Sequence, residues 1–87
     1  MKIKGEYVLR EISGDYILIP IGKTALTMNG MITMDEVGVT IWKGIQSEKT
    51  AEEILKGILE EFEVEEETAR TDMEEFIAKL KEADLIE

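Results

Sequence analysis

The chain has 87 residues, 44 % apolar and 34 % charged, with a formal net charge of −10 and neither cysteine nor histidine. That length holds one domain, read here as residues 1–87, with a modest core and a globular rather than disordered composition. The two missing residue types remove disulfides, thiolate metal sites and the commonest general base, and the acid excess sets the surface against phosphate backbones.

The first element is a strand. Tyr7-Val8-Leu9-Arg10-Glu11-Ile12 is rich in β-formers, and Ser13-Gly14-Asp15 follows as a turn signal. Tyr16-Ile17-Leu18-Ile19-Pro20-Ile21 is a second strand, apolar on both alternate faces, so the two runs form an antiparallel hairpin. Pro20 cannot donate to a ladder and belongs near the strand's end. Gly22-Lys23 punctuates the chain, Thr24 to Asn29 reads as a loop, and Asn29-Gly30 is a turn dipeptide. Met31-Ile32-Thr33-Met34 is a short third strand, after which Asp35 offers an N-cap oxygen.

From Asp35 onward the apolar period changes from two to about 3.6. Val37, Ile41, Trp42 and Ile45 share one side of a first predicted helix, over about 36–46. Thr50 and Glu53 have the spacing of a capping box. They open a second helix with Ile54, Leu55, Ile58, Leu59 and Phe62 as its stripe. Glu65-Glu66-Glu67 then places negative charge where a helix start favours it. A third helix, about 66–83, buries Ala69, Met73, Phe76, Ile77 and Leu80, and Leu85-Ile86 forms an apolar tail that packs back. The expected fold is α+β and winged-helix-like: a three-stranded antiparallel sheet, then three helices, in the order β-β-β-α-α-α.

Charge is distributed unevenly. Residues 1–47 hold five basic and five acidic side chains, whereas residues 48–87 hold five basic and fifteen acidic. Solvated helix faces account for most of this, because Glu52-Glu53, Glu60-Glu61 and Glu74-Glu75 fall between apolar helix positions. Nothing in the pattern makes these pairs converge in a cleft as acid and base. Glu63 with Glu65, Glu66 and Glu67 lacks the alternating ligands of a calcium loop, and helix-start electrostatics explains it more simply. The glycines form no phosphate-cradling motif, and no hydroxyl has a histidine to activate it. The reading is a protein that is not an enzyme and needs no cofactor or metal. No segment has the length of a membrane span, and no apolar signal core follows the N-terminus, so the expected location is the cytoplasm. Trp42 and Met34 read as core, while Met28 and Met31 divide between core and ligand contact.

Three segments carry a resemblance. They are Pro20-Ile21-Gly22; Asn29 through Gly38 with Trp42 four residues on; and Glu66 through Met73 with Phe76 and Leu80 beyond. Together they resemble the PqqD-like family, which includes the recognition elements that bind leader peptides of ribosomally made natural products. Two positions depart from its pattern: Asp35 stands where Asn is common, and Glu65 where Asp is common. The resemblance implies a non-catalytic carrier that holds a leader as an added strand beside the third strand and third helix. It also implies a partner enzyme, often a radical SAM enzyme of the SPASM type, that modifies the precursor and carries the clusters itself.

The residues support that picture separately, because the last strand of a meander is an edge with unpaired backbone groups. The expected rail is Gly30, Met31, Ile32, Thr33 and Met34. The expected groove wall on the third helix is Arg70, Met73, Ile77 and Lys81, with Arg70 and Lys81 free to meet a leader carboxylate or a neighbouring Glu. The alternatives are a winged-helix DNA-binding regulator, opposed by the net charge and by Asp72, Glu74 and Glu75 on the third helix, and a general protein–protein adaptor. Neither nucleic acid nor membrane is an expected partner. Open strand edges also permit self-pairing, so a monomer and a dimer both fit.

Overall fold

The computed structural model describes residues 1–27 and 31–87. In chain order the elements are β1 (Tyr7–Ile12), β2 (Asp15–Pro20), α1 (Thr24–Thr27), β3 (Ile32–Met34), α2 (Glu36–Gln46), α3 (Ala51–Glu61) and α4 (Glu66–Glu82). The three strands form one antiparallel sheet in the order β1-β2-β3, and three helices follow it. Three strand boundaries and one element differ from the sequence expectation. The second strand runs from Asp15 to Pro20, and the third begins at Ile32. The segment expected as loop contains α1, a single turn held by bonds from Ala25 N–H to Gly22 C=O and from Leu26 N–H to Lys23 C=O. One turn is too short to show a hydrophobic period. The Asn29-Gly30 turn and Met28 lie outside the described residues.

The hairpin turn fixes the sheet's register. Ser13 and Gly14 both have positive φ, 51° and 86°. That is the mirror-image two-residue turn whose twist suits flanking strands. Ile12 therefore faces Asp15, and the ladder runs through Val8↔Ile19 to Tyr7↔Pro20. Beyond it Ile21 N–H donates to Glu6 C=O at 3.0 Å. Backbone hydrogen bonds alternate along an antiparallel pair, so the odd-numbered residues of β2 bond to β1 and the even-numbered ones to β3. Pro20, with no N–H, closes the strand where that loss is tolerated.

Side chains alternate in the same way. The helices pack on the face that carries Tyr7, Leu9, Tyr16, Leu18, Ile32 and Met34, all in or against the core. Trp42 is 0 % exposed at its centre, with the Tyr7 ring edge-on at 5.6 Å and 88°. Asp35 caps α2 by accepting the Gly38 N–H at 2.8 Å, and the Thr50–Glu53 capping box opens α3 with both reciprocal bonds made. Glu65 makes no side-chain cap on α4. The apolar tail packs back as expected: Leu85 and Ile86 are buried. Ile86 bridges to Ile3, and Lys4 N–H donates to Leu85 C=O at 2.7 Å. Among the described residues no helix is long and apolar enough to cross a membrane.

Candidate functional site at the β3 edge

β3 pairs with β2 through Leu18↔Ile32, Ile17↔Thr33 and Tyr16↔Met34, and among the described residues no strand lies on its other side. Because even-numbered residues of β2 bond to β3, the main-chain groups of Ile32 and Met34 are turned toward β2. Those of Thr33 face the open edge, with those of Met31 in the same phase. Among the described residues Thr33 N–H and C=O have no partner outside the ladder, the situation in which a sheet edge templates another strand. The Thr33 side chain is exposed, and Met34 beside it is buried.

Next to this edge lies a trough of about 370 Å³ between β3 and α4. Ile32 and Met34 form its strand side, with Thr33 at the lip and Asp35 at the end. Phe76, Lys79, Leu80 and Ala83 form its helix side. These four are spaced i, i+3, i+4, i+7, one flank of a helix. Leu80 is 2 % exposed and Phe76 half-buried, so the floor is apolar, and exposed Lys79 places one cation on the rim. Gly38 sets how closely α2 packs behind Met34 and Phe76, two of the trough's lining residues. A Cβ there would stand 2.9 Å from Met34 Cβ and 3.4 Å from Phe76 Cε1, so only a bare Cα lets α2 approach β3 this closely.

Of the residues expected from the sequence, Ile32, Thr33 and Met34 meet at the trough, and Met31 precedes them at 64 % exposure. Gly30 lies outside the described residues. The four expected on the helix wall do not line this trough. Arg70 is turned to α3, donating to Glu52 at 2.7 Å and lying 3.6 Å from Glu66. This hydrogen bond and the opposite charge hold the Glu52 carboxyl below the usual carboxylate range and push the Arg70 guanidinium up. Met73 and Ile77 are core, at 1 % and 9 % exposure. Lys81 is exposed elsewhere on the helix. The expected wall is rotated from the observed one by about 100°, one residue of helix. The observed flank is the shoulder of the buried stripe, and Phe76 and Leu80 were legible only as core. Lys79 and Ala83 complete the helical spacing that Phe76 and Leu80 begin.

A larger cleft of about 520 Å³ opens between α2 and α3, with Tyr16, Lys43, Lys49 and Glu61 among its lining. Its charges are mixed and it borders no unpaired strand edge. Among the described residues no three acidic side chains converge on a metal-sized site.

The family model described as coenzyme PQQ synthesis protein D (PqqD) matches residues 6–86. A search of the curated proteins finds no match. Among solved structures the chain is similar to TbiB1 in complex with the TbiA(beta) leader peptide, at 28 % identity and a TM-score of 0.76. That alignment covers 100 % of this chain and 95 % of the other.

Proposed function

The chain belongs to the PqqD family, and from that premise we propose that it is a leader-binding recognition domain for a ribosomally made precursor peptide. The leader joins the sheet as a fourth strand beside β3. Its main chain bonds to Thr33, and its alternate side chains enter the trough between β3 and α4. The observation that carries this reading is the coincidence of an open backbone edge with an apolar trough directly beside it. An edge supplies affinity that is indifferent to sequence, and a trough supplies choice among side chains. The likeness to TbiB1, solved with a leader peptide, supports the same role.

The role is non-catalytic. The domain holds a precursor in the cytoplasm and presents it to a modifying enzyme, of the radical SAM class by family analogy, which supplies the cofactors. Main-chain capture suits such a carrier, because it orders an extended peptide at one end and leaves the rest free to reach the enzyme.

Thr33→Pro tests the proposal. Proline is tolerated where an edge strand's N–H faces solvent, so the variant keeps the fold, checked by circular dichroism. Phage display of random peptides on the wild-type domain supplies the probe. Loss of the Thr33 donor weakens the selected peptides by about tenfold or more in fluorescence anisotropy. Unchanged affinity in a folded variant overturns strand addition.

A further inference from the structure

The outward face of the sheet carries apolar side chains that the core leaves unused. Side-chain alternation puts Val8 and Ile12 of β1 there, with Ile17 and Ile19 of β2. None of these four is in or against the core, and Ile12 is 51 % exposed. Val8 stands opposite Ile19. The β2–β3 ladder ends with Leu18 opposite Ile32, and Met31 comes one residue before β3, where continuation of the same register would set it level with Ile19. Val8, Ile19 and Met31 thus form an apolar row across the sheet, and it ends at the open edge. Met31, 64 % exposed, is its last member. Solvated methionine at a strand edge is a poor use of a large apolar side chain unless something extends the row.

We infer that the leader extends it: the leader is read on both faces, with one apolar residue in the trough and another, pointing the opposite way, against Met31. This rests on the strand-addition reading. A fourth strand beside β3 must alternate as the others do, and its outward residue opposite Met31 becomes the direct cross-strand neighbour of that side chain. Cross-strand apolar pairs are the unit by which a sheet gains side-chain stability. The occupant of the row's open end is therefore an apolar leader residue. Strand alternation also fixes its position, because residues on opposite faces are separated by an odd number of steps whichever way the leader runs. The trough demands apolar residues at one parity, and Met31 demands one at the other. A leader read by the trough alone would show a period of two.

The test uses phage-displayed random peptides on the full chain and on Met31→Glu. Met31 is exposed and makes no core contact, so the substitution leaves the fold intact. Peptides selected by the wild type carry apolar residues at both parities. Those selected by Met31→Glu keep the trough residue and lose the outward one. Replacing the outward apolar residue of a selected peptide with Ser weakens wild-type binding by about fivefold and leaves binding to Met31→Ser unchanged, the signature of a direct pair. Wild-type selections with a strict period of two, or an equal loss in both proteins, overturn the inference. Thr33→Pro separates the two readings. If it binds the selected peptides as the wild type does, strand addition itself fails; if it loses them while only the trough parity is selected, the outward contact alone fails.

Discussion

Gly38 shows how one missing side chain shapes the site. Its Cα sits where Met34, Asp35 and Phe76 meet, and an added Cβ would stand 2.9 Å from Met34 Cβ, closer than carbon atoms tolerate. Neither neighbour can yield easily, because Met34 is buried in the sheet and Asp35 is fixed by its bond to the Gly38 N–H. Gly38→Ala is expected to destabilise the fold by about 1–3 kcal/mol through overpacking, read as a lower urea midpoint with an unchanged slope. A midpoint equal to the wild type would show that α2 does not approach β3 this closely. Much at this scale was legible in the sequence. Asp35 and the Thr50–Glu53 box announce caps because their oxygens sit one turn before an apolar stripe. Trp42 announces the core by its helical spacing with Val37 and Ile45, and it is buried. The solvent position of Met31 was not legible, because a four-residue run with apolar side chains on both alternate faces does not say which face is buried.

Among the elements, α4 departs furthest from expectation, and the reason is angular. Sequence periodicity locates a buried stripe to within about a residue, but a groove lies on the stripe's shoulder, where an error of about 100° exchanges wall for exterior. The charged residues Arg70 and Lys81 pointed to ligand contact by their chemistry, yet Arg70 is engaged by Glu52 and Glu66. Neighbouring variants on this one helix discriminate the two walls. Phe76→Ala removes half-buried trough floor and weakens selected peptides by about tenfold or more, whereas Arg70→Ala leaves their affinity within about twofold and lowers the thermal midpoint only slightly, as exposed ion pairs do. Equal loss from both variants would return Arg70 to the site. The sheet was more readable than the helix. The hairpin and its turn region were legible, but the signal spanned Ser13-Gly14-Asp15, and the structure confines the turn to Ser13 and Gly14; that turn specifies the register, and the register decides which backbone groups of β3 are free. What sequence could not supply was α1, whose single turn is held by loop geometry and by Thr24 Oγ1 accepting the Glu6 N–H at 2.8 Å.

For the whole molecule, the division of labour follows the division of charge. The neutral residues 1–47 build the sheet, its edge and the core helix α2, while the acidic residues 48–87 supply α3 and α4, which add a solvated outer surface. A strand-adding site needs this arrangement: a rigid backing so that the edge is preformed, and little competing apolar surface on the helices. In the proposed complex Thr33, and not its neighbours in β3, offers its main chain to the peptide. Amide hydrogen exchange of the free domain and of its complex with a selected peptide tests this most directly. Thr33 is expected to exchange rapidly in the free protein and to slow by about tenfold or more on binding, while Ile32 and Met34, already turned to β2, change little. A Thr33 amide that is protected before the peptide arrives, or that stays fast in the saturated complex, would contradict it.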